Sequence, residues 1–493
     1  MDQQKIDIKN IPVHVEVHTP SANKTPDYAP RNRIYVRAVK GLHQAVRRYM
    51  GFVFMGLFML LPWIQYEGHQ AILLDITEQK FNIFALTLWP QDFTILAWIF
   101  IIAAYALFFI TAFYGRVWCG YLCPQTVWTD LFMLVERYIQ GDRNARVRLD
   151  KSKWTFEKFW KLGATHLAWI AISMATGGAF VLYFHDAPTV IVDIFTASAS
   201  FGTYVTIAFL TGSTYLLAGW AREQVCTYMC PWPRFQSAML DDESLIVTYE
   251  GWRGEERGPL KRKNLERGEV PETGHCVDCF ACVNVCPTGI DIRDGLQMEC
   301  IGCGLCIDAC NDTMDKIGFP RDLVRFDSVQ NTQLRAQGKA TRTRIVRPRT
   351  IFYSAILVIV ASVMMFGLFN RSVLELNVLR DRNPLYVTLS DGDVRNGYTL
   401  KVLNKEQAAK TYTLDVKGLA VSDLQVIGLT PNQDGSFDLE VAPDRVGSFR
   451  VFVAASPNTL DSDSTAFEFT VTDQETGNSE TYDTVFAGPR AGH

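Results

Sequence analysis

Five stretches of this chain run for roughly 18 or more residues without a charged side chain, each long enough to cross about 30 Å of hydrocarbon. They span approximately 49–66, 93–114, 162–184, 201–220 and 350–369. The first contains Pro62 and lies too far from the N-terminus to act as a signal peptide. A chain with this pattern is expected to fold as an α-helical polytopic membrane protein. The net charge of −4 over 493 residues gives no reason to expect nucleic acid as a partner.

The basic residues orient the spans. The segment before the first span holds nine Lys and Arg residues, among them Arg37, Lys40, Arg47 and Arg48. The first connection has Lys80 alone, and the 115–161 connection again has nine. The 185–200 connection has none, and Arg342, Arg344, Arg347 and Arg349 precede the fifth span. The alternation predicts a cytoplasmic N-terminus and a periplasmic C-terminus in a bacterial inner membrane. Cysteine agrees independently. All twelve lie at membrane edges or in the 222–349 segment placed in the cytoplasm, the reducing side suited to thiols kept for metal ligation.

Residues 1–48 read as a cytoplasmic tail, with 1–30 polar, proline-bearing and disordered, and Arg33–Arg48 as a basic amphipathic helix at the interface or a plain solvated segment. Residues 49–221 form the four-helix membrane region. The 222–349 insertion follows, then the fifth span at 350–369. From about residue 370 to 493 the apolar residues alternate with period two, as in Ser448–Val453 and Ser464–Asp473. Asp391–Gly392, Asn396–Gly397 and Asp434–Gly435 read as turns. About seven short strands there suggest an all-β immunoglobulin-like sandwich with a docking or structural role.

Cys276-x-x-Cys279-x-x-Cys282-x-x-x-Cys286-Pro287 is followed, fourteen residues after Cys286, by Cys300-x-x-Cys303-x-x-Cys306-x-x-x-Cys310. This is the spacing of bacterial ferredoxins carrying two [4Fe–4S] clusters, in which the fourth Cys of each run serves the other cluster. Cys276, Cys279, Cys282 and Cys310 are therefore expected to hold one cluster, and Cys286, Cys300, Cys303 and Cys306 the second, within a ferredoxin-like domain at about 270–320. Zinc is the competing use of C-x-x-C pairs, but two matched four-Cys runs without His argue against it. Asn311 stands where a second Pro would complete the repeat. Clusters so held carry single electrons. The nearby basic run Arg253, Arg257, Lys261, Arg262, Lys263 and Arg267 could meet anionic headgroups or an acidic donor, or be a solvated loop.

The other four cysteines form a weak internal repeat. Cys119-Gly-Tyr-Leu-Cys123-Pro124 follows the second span, and Cys226-Thr-Tyr-Met-Cys230-Pro231 follows the fourth. Spacing of i, i+4 predicts that each pair shares one helical face, and a pseudo-twofold would bring all four thiols to one mouth of the bundle. Soft thiolates select Cu(I), zinc or iron–sulfur, so Cys119, Cys123, Cys226 and Cys230 are the candidate copper-binding and copper-reducing residues. Buried structural cysteine is the alternative. Haem is not expected, because His166 and His185 lie at opposite ends of one span.

The two motifs through Pro124-Gln125 and Pro231-Trp232-Pro233-Arg234-Phe235-Gln236, with both ferredoxin runs, resemble the cytochrome c oxidase accessory family called CcoG, FixG or RdxA. The resemblance covers nearly the whole chain from Tyr49. It implies five spans, a ferredoxin-like insertion and a periplasmic immunoglobulin-like domain. It also implies a cupric reductase that supplies Cu(I) during assembly of cbb3-type oxidase. A quinol dehydrogenase-type electron-transfer module of a respiratory chain, or a non-enzymatic assembly scaffold, are the alternatives. Expected partners are the lipid bilayer, a cytoplasmic electron donor, a copper chaperone or transporter, cbb3-type oxidase subunits and a second copy in a homodimer.

Overall fold

The computed structural model describes residues 33–489 except 67, 78, 260–273, 407, 434 and 461. The expected disordered tail and the run Lys261, Arg262, Lys263 and Arg267 therefore lie outside the described residues. The chain forms two compact units, Met1–Met364 and Met365–His493.

Among the described residues, five helices are long and apolar enough to cross a membrane: Leu42–Trp63, Phe93–Tyr114, Phe156–Val181, Phe201–Ala221 and Pro348–Phe369. Their outer side chains have no protein cover. Phe100, Leu167, Phe209 and Phe366 are 66–72 % exposed, an apolar surface that hydrocarbon tolerates and water does not. The chain is a multi-pass membrane protein.

The first unit contains α1 (Leu42–Leu60), α2 (Phe93–Tyr114), α3 (Val117–Tyr121), α4 (Pro124–Gln140), α5 (Arg143–Lys151), α6 (Phe156–Val181), α7 (Ala187–Phe195), α8 (Phe201–Thr214) and α9 (Trp232–Met239). Helix α4 spaces Trp128, Phe132, Glu136 and Gln140 four residues apart, so all four lie on one face and all are buried. Phe132 stacks on Trp169 of α6 with ring centroids 5.3 Å apart, and Trp128 meets Phe54 and Phe58 of α1 edge-on. Such pairs add about 0.5–1.5 kcal/mol each beyond burial. Helix α8 continues as a π-helix over Tyr215–Ala221. Gly219 sits there because a Cβ would lie 3.1 Å from Trp169 and 3.3 Å from Phe132.

The expected helix over Arg33–Arg48 is corrected. Residues 33–40 are not helical, and α1 begins at Leu42. The reason is where the backbone donors go: Arg37 N–H donates to Asn284 O at 2.8 Å, and Ala38 N–H to Asp142 Oδ1 at 2.9 Å. Val36 is buried, and Val39 packs beside Ile301 and Cys303. Tertiary partners thus replace the helical ones. The segment is a strap across the insertion rather than an amphipathic helix.

The opening turn of α1 is capped from far along the chain. Asp308 accepts from His43 N–H at 3.3 Å and Gln44 N–H at 2.8 Å. Gly41 at the cap position carries no side chain, and a Cβ there would overlap the Asp308 carboxylate at 2.3 Å. A carboxylate from elsewhere does the work that a local Ser or Asp usually does.

In the insertion, a short helix α10 (Ala281–Asn284) and the longer α11 (Leu305–Ile317) flank the cysteine loops. Strand β1 (Ile246–Tyr249) pairs antiparallel with β2 (Val324–Asp327), closing the domain. The fifth span, α12 (Pro348–Phe369), is pinned at its start: the buried Arg347 pairs with Asp241 at 2.6 Å and donates to Ala112 O at 2.9 Å.

The second unit is an immunoglobulin-like sandwich. Its strands are β3 (Leu374–Arg380), β4 (Val387–Thr388), β5 (Val394–Asn404), β6 (Lys410–Lys417), β7 (Val421–Val426), β8 (Phe437–Val441), β9 (Arg445–Ala455), β10 (Ser464–Asp473) and β11 (Ser479–Ala487). One sheet runs β7–β9–β5–β3 with β4 also on β5, and the other runs β8–β6–β10–β11, all antiparallel. Period-two alternation sends Tyr398, Leu400, Leu414, Leu439, Val451 and Phe469 to the shared core. The expected turn at Asn396–Gly397 is corrected: both residues lie within β5. Asn396 Nδ2 donates to Ala487 O at 2.8 Å, and a Cβ on Gly397 would strike Asp381 Oδ2 at 2.5 Å, the carboxylate that binds Arg450. Gly392 and Gly435 do sit in turns at φ +92° and +83°, while Asp434 lies outside the described residues.

Candidate metal centres

The ferredoxin-type thiols gather into two cavities of similar size, each about 350 Å³ including its opening. Cys276, Cys279, Cys282 and Cys310 line one, with Tyr249, Phe280 and Arg293 beside them. Cys286, Cys300, Cys303 and Cys306 line the other, which Cys282 also touches. The fourth Cys of each run thus stands with the three of the other run. Helix α11 does this by carrying Cys306 into one cavity and Cys310, one turn on, into the next.

The local backbone is shaped for wrapping. Gly302 and Gly304 take φ +67° and +70°, so the loop from Cys300 to Cys306 turns tightly. A Cβ on Gly302 would press the Arg116 backbone at 3.2 Å, and one on Gly304 would meet His43 at 2.7 Å. Burial pushes the thiols of Cys282, Cys300 and Cys310 up to about 12, and that of Cys303 to about 11. As bare thiols they would stay protonated at neutral pH. Cationic iron is what makes four thiolates tolerable in one enclosed space.

Among the described residues, no three His, Cys, Asp or Glu side chains are grouped as one metal ion requires. Four thiols around each of the two cavities match the four iron corners of a cubane.

The membrane-edge cysteines are built differently. Cys119 lies in α3, but Cys123 is the extended residue ahead of α4, at φ −58°, ψ 127°. Cys226 lies in a π-helical turn, Val225–Met229, and Cys230 ends it at φ −79°, ψ 125°. The expectation of one helical face per pair is therefore corrected. Each second Cys precedes a Pro, whose ring drives it out of the helical region. The repeat survives in another form: Cys123 N–H donates to Trp118 O at 2.9 Å and Cys230 N–H to Val225 O at 2.8 Å, both five residues back.

The four thiols stand within electrostatic reach of one another. Burial pushes Cys119 up to about 11, with Cys123 and Cys230 adding to the rise. Burial pushes Cys226 up to about 12, with Cys123, Cys119 and Cys230 adding to it. A glutamine from each repeat reaches the other. Gln125 Nε2 donates to Leu217 O at 2.8 Å and Arg222 O at 3.3 Å, carbonyls beside the π-helix. The fully buried Gln236 accepts the Cys119 thiol proton at 3.2 Å and donates to Thr111 at 3.3 Å.

These thiols abut the second cavity. Cys119 and Cys226 pack on the apolar wall formed by Ile301, Cys303, Leu305 and Ala309. Gly120 comes so close that a Cβ would lie 2.9 Å from both Cys303 Cα and Ile301 O. Arg116 staples the junction: Nη1 donates to the carbonyls of Met298 and Cys300, and Nη2 to Pro233 O at 2.6 Å. The first cavity, by contrast, opens to solvent at the exposed Cys279.

Sequence reasoning missed the ionic lattice beside this junction. Glu136, with no exposed surface, binds Arg222 at 2.5 Å, Arg146 at 2.8 Å and Arg33 at 3.3 Å. Arg222 also covers the Trp169 ring and holds φ +45° just ahead of the second thiol pair. The signal was present, since Glu136 falls on the same four-residue spacing as Trp128 and Phe132. Of the expected basic run, Arg253 and Arg257 are internal staples, to Arg321 O and to Glu255 and Asp294.

Spans, paired four-thiol cavities and a β-sandwich define a multi-pass membrane iron–sulfur protein. Residues 221–329 match the 4Fe-4S dicluster domain family, 96–139 a 4Fe-4S binding domain, and 364–489 the IG-like fold at the C-terminal of FixG. The chain is 43 % identical over 459 residues to nitrogen fixation protein FixG of Rhizobium meliloti, covering 87 % of each. It is 44 % identical over 440 residues to protein RdxA of Cereibacter sphaeroides, covering 87 % of this chain and 91 % of RdxA. This chain belongs to the FixG/RdxA family. A crystal structure of a FixG-related protein from Vibrio parahaemolyticus is 32 % identical, covering 24 % of this chain and 97 % of that one at a TM-score of 0.20.

Proposed function

We propose that the protein is a cupric reductase that delivers Cu(I) for the copper centre of a cbb3-type oxidase. The contact of Cys119 and Cys226 with the wall around Cys303 carries this reading, because it sets soft ligands against an electron carrier. Cys276, Cys279, Cys282 and Cys310 would hold one cluster, and Cys286, Cys300, Cys303 and Cys306 the other. When bound, these groups supply electrons singly. The substrate change balances with one electron: Cu(II) becomes Cu(I), and a reduced cytoplasmic donor is oxidised.

The chain's own residues serve the ion at each stage. Cys119, Cys123, Cys226 and Cys230 offer thiolates that favour the reduced, softer ion. Gln236 holds Cys119 in place, and the junction at Gly120 excludes water. The reduced ion then passes to a copper chaperone or transporter and on to oxidase subunits. The basic connections support a bacterial inner-membrane topology with the thiol centres cytoplasmic and the sandwich periplasmic, free to dock its partner, with a homodimer as the assembled form.

Replacing Cys226 and Cys230 by Ser tests this. Copper binding should vanish while iron–sulfur absorption stays. Since Cys119 and Cys123 fall within a matched 4Fe-4S binding domain, loss of iron instead of copper would assign these thiols to a cluster and end the copper reading.

A further inference from the structure

Between α1 and α4 lies a shallow cleft, about 360 Å³ including the open space at its mouth, that the proposed chemistry does not use. Arg47, Arg48 and Asp130 line it together with Phe52, Met55 and Leu134. The arginines occupy the opening turns of the first span, and Phe52 and Met55 lie one to two turns further in. The cavity therefore joins a charged region to an apolar one along the direction of the span.

Its polar groups are incompletely matched. Arg47 is 3 % exposed, and its Nη2 reaches Asp130 at 3.5 Å. Among the described residues, its Nε and Nη1 have no partner, nor has Arg48 Nε. Buried guanidinium donors left unmet are costly, and native structures rarely keep them without a ligand. Arg137 lies within electrostatic reach of Asp130, Asp142, Arg146 and Arg48. In the cavity lining itself, two guanidiniums face one carboxylate, which leaves a net positive charge.

We propose that this cavity binds the phosphate of an anionic phospholipid, with the acyl chains lying along Phe52, Met55 and Leu134. Guanidinium matches phosphate with paired charge-assisted hydrogen bonds. Basic cavities between membrane helices suit anionic headgroups, and the start of a span is where headgroups lie. Free phosphate would leave the apolar wall uncovered, and an uncharged amphiphile would leave the positive charge unopposed. The occupant would also brace the thiol region. Tyr121, between Cys119 and Cys123, lines the same cavity, and so does Thr126, whose hydroxyl donates to Cys119 O at 2.7 Å.

The test is native mass spectrometry of the full-length protein, stripped of lipid in an uncharged detergent. Phosphatidylglycerol, phosphatidylcholine and inorganic phosphate are then offered separately and in competition. Phosphatidylglycerol should remain bound, phosphatidylcholine should not, and phosphate at equal concentration should fail to displace the lipid. Arg48→Gln should weaken phosphatidylglycerol binding roughly fivefold, the loss of one arginine–headgroup attraction, with iron–sulfur absorption retained. Leu134→Trp leaves Arg47 and Arg48 in place but fills the apolar end, and should exclude the lipid. Equal retention of phosphatidylcholine, displacement by phosphate, or undiminished binding in both variants would overturn the proposal.

Discussion

The eight thiols between Cys276 and Cys310 and the four at Cys119, Cys123, Cys226 and Cys230 are one chemical group under two kinds of constraint. The eight line cavities built from a short-range loop, left-handed glycines and one helix, so their positions are set by a single compact insertion. The four flank proline breaks on separate stretches of chain, brought together by Arg116, Gln125, Gln236 and the Glu136 lattice. A resident cofactor calls for the first arrangement. On the cupric-reductase proposal, a passing ion calls for the second.

The sharpest way to break this comparison is to remove one thiol from each cavity. Two cubanes should bring about eight iron atoms. Cys310→Ser should lose roughly half of them from the cluster of Cys276, Cys279 and Cys282, and Cys286→Ser the other half, as read by iron analysis and EPR on anaerobic protein. If Cys310→Ser emptied the second cavity instead, the crossed assignment would fail.

Next in size is Glu136→Gln. It strands the buried Arg222 and Arg146, while Arg33 keeps Asp150 at 2.7 Å; breaking a buried pair costs about 3–5 kcal/mol, visible as a lower unfolding midpoint in detergent. Burial alone would raise the Glu136 carboxyl, but Arg222, then Arg146 and Arg33, more than reverse this and hold it below the usual range. Its contribution is therefore present above the unfolded-state value and disappears as pH falls through the folded one. Wild type should lose stability in acid, and Glu136→Gln should flatten that slope.

Gly120→Ala probes the junction itself. The added methyl meets backbone atoms of Ile301 and Cys303, an overpacking worth about 1–3 kcal/mol. Cu(II) reduction by pre-reduced protein should slow with iron content intact. Gly163→Ala, where a Cβ meets nothing within 4 Å, serves as the control; equal rates in both variants would detach Gly120 from the chemistry. The smallest effect is expected for Gln236→Leu. Losing one hydrogen bond costs about 1 kcal/mol, which corresponds to about fivefold weaker Cu(I) binding by competition titration, without a change in stoichiometry.

Much of this architecture could be read from the chain. Spans show as long uncharged runs because hydrocarbon admits little else, and the sandwich shows as alternation because each strand has one buried face. The ferredoxin spacing fixed the thiol grouping because its geometry is local. Misreadings arose where a distant partner overruled a local preference. Residues 33–40 have a helical appearance but spend their donors on Asn284 and Asp142. Asn396–Gly397 looks like a turn but lies in a strand, held by Ala487 and by space for Asp381. The i, i+4 thiol spacing looked helical until the following Pro was allowed its steric effect. Glu136 was overlooked because a carboxylate on an apolar face makes sense only once its three arginines are seen.

The Asp308 cap has a consequence for biogenesis. The opening turn of the first span lacks its acceptor until the ribosome has made 264 further residues, and that acceptor lies between Cys306 and Cys310. Early insertion of this helix is thus left unfinished at its leading end, and the polypeptide completes it only when the iron-binding loop arrives. Metal insertion and membrane anchoring become successive checks on the same joint.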